Sequence, residues 1–90
     1  MTKAELVDAI ARDAKITKVA AERALNSFTR HVVHTLRKRD KITLTGFGTF
    51  TTARRKARQT LNPQTKEEIT IPAAWVPRFR PGKVLRERVR

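Results

Sequence analysis

Residues 41–65 read KITLTGFGTFTTARRKARQTLNPQT, and the change of rhythm inside this stretch decides the fold. At its start Ile42 and Leu44 alternate with Thr43 and Thr45, the period of two expected of a half-buried strand. Gly46, Phe47, Gly48, Thr49 and Phe50 follow, so the chain turns and runs back as a second strand. The glycines either side of Phe47 allow a tight reversal, and Phe47 and Phe50 supply aromatic bulk to a core. Beyond Thr52 the alternation persists, but both faces are polar or basic until Asn62 and Pro63, after which Ile69 and Ile71 resume a strand pattern. A hairpin with two polar faces has no core to sit on, which predicts an arm reaching into solvent. Its reversal falls at Asn62, Pro63, Gln64 and Thr65, since proline fixes its φ and lacks a ladder donor.

Upstream of this stretch the period is helical. Thr2 and Glu5 have the spacing of a capping box, and Leu6, Ala9, Ile10 and Asp13 continue an amphipathic helix of about three turns. Lys15, Ile16 and Thr17 interrupt it, and Thr17 caps a second helix whose apolar residues Ala21, Leu25, Phe28, Val32 and Leu36 recur every three or four positions. That helix should reach about Arg37, because Arg37, Lys38 and Arg39 suit the carbonyl end of a helix and Asp40 suits a turn. Downstream of the arm, Pro77, Phe79 and Pro81 bring the chain back, and Lys83, Val84, Leu85 and Val89 predict a short final helix. No internal repeat is visible. The expected class is α+β.

Ninety residues make one small module. With 21 Lys and Arg against 8 Asp and Glu the formal net charge is +13, so the natural partner is a polyanion. More than half of the bases fall in residues 53–90, and Arg54, Arg55, Lys56, Arg58 and Lys66 lie in one run without an acid. The absence of cysteine excludes a disulfide framework, a thiolate zinc site and a cysteine nucleophile. The longest apolar run, residues 73–76, is too short for a membrane span, and no export signal is present. The only histidines, His31 and His34, stand three apart on the second helix with no further ligand spaced to help them. No catalytic site, metal site, cofactor or small-molecule substrate is therefore expected.

Two other classes account for the charge less well. An RNA-binding module would display aromatics on a sheet, whereas these phenylalanines follow core spacing. A membrane-surface protein would gather its bases on one helix face opposite an apolar stripe, which this chain does not do.

If residues from about 53 to 76 leave the body, roughly 65 remain, and a domain of that size buries only about 60% of its unfolded surface. The apolar set of the second helix, the hairpin phenylalanines and Phe79 exceeds what one thin layer covers, so a symmetric dimer is expected. Two basic arms then frame a cleft around a rod of negative charge, and duplex DNA is such a rod.

Gly46, Phe47, Gly48, Thr49 and Phe50, then Asn62, Pro63, Gln64 and Thr65, then Val76, Pro77, Phe79, Gly82, Lys83 and Leu85 resemble the bacterial HU and IHF DNA-bending proteins, without gaps from Met1 to Arg90. The resemblance implies a homodimer, or a heterodimer with a paralogue, whose helical body carries a β-sheet saddle and two protruding two-stranded β arms. It divides the chain into a helical dimerisation part at 1–40, sheet at 41–52 and 72–82, a DNA-binding arm at 53–71 and a C-terminal helix at 83–90.

It further implies an architectural protein of the cytoplasm and nucleoid. Such a protein bends, wraps and compacts the bacterial chromosome with little sequence preference, the sequence-preferring IHF-like type being the alternative. On the matching positions Pro63 is the wedge between base steps at the arm tip and Asn62 shapes that tip. Arg55 and Arg58 bind phosphate or line the minor groove, Arg80, Lys83 and Arg86 contact flanking backbone, and Lys3 is an outlying contact. Arg55 and Arg58 lie three apart, so a regular strand sends them to opposite faces unless a bulge intervenes.

The chain also departs from the family pattern. Thr60 and Lys66 stand where many members have glycine, Leu61 where they often have arginine, and Arg39 where a glycine commonly ends the second helix. Trp75 is expected to pack at the arm base and not to stack on a base.

Overall fold

The structure is a computed structural model that describes all residues, Met1 to Arg90. Three helices and five antiparallel strands bear out the α+β class, arranged in two compact units, Met1–His34 and Thr35–Arg90.

The first helix, α1, runs over Lys3–Ala14 and starts as its capping residues require. The Glu5 backbone N–H donates to Thr2 Oγ1 at 3.2 Å, and the Thr2 hydroxyl donates to Glu5 Oε1 at 3.4 Å. It ends at Lys15, which takes the left-handed conformation at φ 57° and returns its N–H to the Ala11 carbonyl. Helix α2, Lys18–Arg37, is capped by Thr17, whose hydroxyl accepts the Ala20 N–H at 3.0 Å. In the first unit Val7, Ala11 and Ala21 form the buried cluster, with Ile10 and Leu25 packed against it. That core is thin. Leu6, Ile16, Val19 and Val33 stay exposed, Val19 by 62% and Val33 by 56%.

In the second unit α2 ends through Arg39, at φ 60°, whose N–H donates to the Leu36 carbonyl at 3.0 Å. Asp40 then accepts the Lys41 N–H on its own carboxylate at 2.8 Å, the turn its side chain favours. Three strands follow in the order β1–β2–β5, with β1 Ile42–Leu44, β2 Gly48–Arg55 and β5 Ala74–Pro81. The β1–β2 reversal is closed by the Phe47 N–H on the Leu44 carbonyl at 2.9 Å, with Gly46 at φ 84° in the position that demands a positive φ.

Gly48 has a different reason to be glycine. A Cβ there would lie 2.6 Å from both the Arg80 carbonyl oxygen and the Phe79 ring, so the position is set by close approach of β5 and not by turn geometry. That approach lets Phe79 meet Phe50 at 4.8 Å and Phe47 at 5.3 Å between ring centroids. The Gly82 N–H donates to the Phe47 carbonyl at 2.8 Å, and the last helix, α3, starts directly after it at Lys83–Val89.

The remaining strands, β3 Arg58–Leu61 and β4 Glu68–Ile71, form a separate two-stranded ladder. Between the two sheets the ladder lapses at residues 56–57 and 72–73, where Pro72 has no N–H to give. The register nevertheless carries across. Arg55 faces Ala74 on one side of the lapse and Arg58 faces Ile71 on the other, so equal numbers of residues are skipped on both strands. No bulge residue is inserted; the joint between Arg55 and Arg58 is a two-sided break in hydrogen bonding.

Candidate nucleic-acid interface

The hairpin of β3 and β4 is exposed on both faces, with only Ile71 partly covered. Its tip is organised by Asn62. The Asn62 N–H donates to the Glu67 carbonyl at 2.9 Å, and the Asn62 carbonyl accepts the Lys66 N–H at 2.7 Å. The Asn62 side-chain oxygen accepts the Gln64 N–H at 2.9 Å, so the residue bonds around Pro63 from three atoms. Pro63 itself is exposed at the apex, and Leu61, one residue before Asn62, is 59% exposed. Of the two arm positions at which family members often have glycine, Thr60 and Lys66, only Lys66 needs a positive φ, at 59°. Thr60 lies in regular strand opposite Ile69.

Charge on the hairpin is one-sided along the chain. Arg54, Arg55, Lys56 and Arg58 stand exposed on the outgoing strands, whereas the return from Glu67 to Pro77 holds no base and two acids, Glu67 and Glu68. The structure's one ion pair is Lys18 with Asp8 at 3.4 Å, on the first unit, so the bases of the hairpin are not neutralised internally. Such cations remain available to an external polyanion.

A second basic group lies at the end of the same unit. Arg80 sits on β5 opposite Thr49, two residues before Gly82, and Lys83 and Arg86 are three apart on α3, where they line one recess with Glu87 and Arg90. The second unit therefore holds Arg55, Arg58, Asn62, Pro63, Arg80, Lys83 and Arg86 together. Lys3 belongs to the first unit, on α1, where it lines a recess with Val7, Asp8, Lys18 and Glu22.

Arg54 pairs across the ladder with Trp75, which is 44% exposed. The Arg39 guanidinium lies 4.7 Å from the indole centroid and that of Arg54 5.8 Å. Trp75 is thus at the arm base, as expected, but packed against cations. The register could have revealed the Arg54 pairing; the position of Arg39 depends on how α2 ends. His31 and His34 are exposed on α2, no cluster of metal-ligating side chains exists, and no helix is long and apolar enough to cross a membrane.

Comparison with known proteins agrees with this geometry over the full chain. The family model described as bacterial DNA-binding protein matches residues 1–90. The chain is 49% identical over 89 residues to DNA-binding protein HU-beta of Escherichia coli (strain K12), covering 99% of each. It is 48% identical over 87 residues to HU-beta of Neisseria meningitidis serogroup A, covering 97% of this chain and 98% of the relative. Among solved structures, the Anabaena HU–DNA cocrystal superposes with a TM-score of 0.95 at 45% identity, covering 99% of this chain and 97% of that one.

Proposed function

The chain belongs to the family of bacterial DNA-binding proteins, and from that premise we propose that it binds duplex DNA as an architectural protein and carries out no catalysis. The observation that carries the reading is the hairpin of residues 58–71, whose strands are exposed on both faces and whose apex exposes Pro63 behind a run of unneutralised bases. Attraction comes from backbone phosphate, which every sequence offers, so the protein covers and bends the chromosome with little sequence preference. Pro63 enters between base steps and Asn62 holds it there. Arg55 and Arg58 meet phosphate or the minor groove, and Arg80, Lys83 and Arg86 hold flanking backbone. Lys3 contacts DNA farther out.

Two copies act together. Val19, Val33 and Leu6 leave apolar surface on the helices that one thin core cannot cover, and a second copy covers it. Residues 1–40 provide this dimerising part, 41–52 and 72–82 the sheet, 53–71 the arm and 83–90 the terminal helix. The setting is the bacterial cytoplasm, at the nucleoid.

Duplex titrations across salt concentrations test the reading. Affinity should fall by about 0.9 logarithmic units per neutralised phosphate for each tenfold rise in salt, and a flat response would overturn it. Sedimentation at micromolar concentration should show a dimer.

A further inference from the structure

Three features of the second unit have no contact assigned to them in the reading just given: the exposed indole of Trp75, the arginine in a left-handed position at Arg39, and Arg54 at the arm base. They form one cluster. Both guanidinium carbons lie within cation–π range of the same ring, at 4.7 Å and 5.8 Å. The two cations can therefore be no farther apart than those distances combined. Neither is paired with a carboxylate, since the only ion pair joins Lys18 and Asp8.

Two positive side chains against one indole, without a counter-ion, place two uncompensated charges at the arm base. A guanidinium lying against a ring uses its π face for the contact and keeps its N–H edge for a planar anion. Of the five donors of Arg39, one is spent on the Leu36 carbonyl, by Nη1 at 3.2 Å, which ties the group to the end of α2. Arg39 takes φ 60°, a conformation that glycine adopts without penalty, so the backbone alone gives no reason for an arginine there.

We propose that Arg39 and Arg54, held by the Trp75 indole, form a second phosphate-binding site at the base of the arm, each taking one backbone phosphate of the bound DNA. The site rests on the duplex-binding reading given above and extends it to three residues that the arm tip and α3 do not involve. Trp75 is the positioning residue. It fixes where the two guanidinium edges point, and the ordering cost is met on folding instead of on binding.

The test uses the full-length protein and one defined duplex, with affinity measured across salt and thermal midpoint measured without DNA. Arg39→Gly suits the backbone at that position, so its midpoint should hold or rise while the salt slope loses about 0.9 and affinity at 0.1 M salt falls roughly eightfold. Arg54→Ala should lose the same amount, and the double variant twice as much. Arg30→Ala removes an equal charge from an exposed position on α2 and should change the slope by much less. Trp75→Phe, which keeps an aromatic face, should retain more affinity than Trp75→Leu.

Slopes for Arg39→Gly and Arg54→Ala that match wild type, or that drop no further than that of Arg30→Ala, would overturn the second site while leaving the arm and α3 as the DNA contacts. Equal losses in the Phe and Leu variants would remove the indole's part in it. A wild-type protein with no salt-dependent duplex binding would overturn the architectural reading and this site with it.

Discussion

The backbone N–H of Lys66 donates to the carbonyl of Asn62 at 2.7 Å, with Lys66 at φ 59°. This one bond closes the loop that presents Pro63, and it requires a lysine in a conformation that costs a residue with a Cβ about 1–2 kcal/mol. A hairpin that covers only part of Ile71 recovers little of that cost from packing. It recovers it from the other bonds of the same residue: Asn62 also donates to the Glu67 carbonyl at 2.9 Å and accepts the Gln64 N–H on its side chain at 2.9 Å. The tip is ordered by Asn62 more than by any other residue.

Asn62→Ala should therefore loosen the tip without unfolding the protein. Loss of the bond to Gln64 costs about 1 kcal/mol locally, and the exposed hairpin lends no core to the rest. The thermal midpoint should stay within error of wild type, while amide exchange at Gln64 and Lys66 quickens and DNA bending falls. A large drop in midpoint would show that the hairpin is coupled to the body.

Gly48→Ala and Gly46→Ala should separate two uses of glycine in one turn. At Gly48 the added methyl meets backbone and ring at 2.6 Å, so β5 has to shift and the Phe79 contacts with Phe47 and Phe50 degrade. Overpacking of this kind costs about 1–3 kcal/mol. At Gly46 the methyl has open space and only the positive φ of 84° to oppose it, so the cost is about 1 kcal/mol. Denaturant unfolding should rank Gly48→Ala as the more damaging.

The starts of α1 and α2 were legible because a cap is local: Thr2 and Thr17 stand three residues before the N–H groups of Glu5 and Ala20 that they accept. The strand–turn–strand of residues 42–55 and the polar hairpin were legible through their period, which also showed that the hairpin has no buried face. Three things were not. The role of Gly48 depends on how closely β5 passes, a contact more than thirty positions away along the chain. The lapse at residues 56–57 depends on Pro72 lying opposite, so neither strand alone shows it. The cation pair on Trp75 brings Arg39 from the end of α2 to a strand far from it in sequence, and no periodicity carries that.

Arg55→Ala and Arg58→Ala bear on the joint between the two ladders. Register carries across it without an inserted residue, so the two arginines keep the odd spacing that alternation assigns to opposite faces. Each should then meet a different phosphate. Each variant should lower the salt slope by about one unit and weaken binding on all sequences alike, and the losses should add in the double variant. A double variant no worse than either single would place both guanidinium groups on one phosphate.

Pro63→Ala should separate bending from affinity. Pro63 is exposed at the apex, held by Asn62 through bonds that do not involve its own side chain, so alanine leaves the loop closed and removes only the ring. Unstacking a base step costs a few kcal/mol, and an apolar wedge lowers that cost, while attraction to DNA comes from phosphate contacts that Pro63 does not make. Intact duplex should accordingly be bound nearly as tightly as by wild type but bent less. Nicked duplex, where stacking is already broken, should be bent almost normally. Energy transfer between fluorophores at the duplex ends, read at saturation together with affinity on the same DNA, measures both quantities at once. If Pro63→Ala bends intact duplex as well as wild type does, the ring is not the wedge. Leu61, exposed one residue before Asn62, is then the group to substitute next, since it is the large apolar side chain beside the apex.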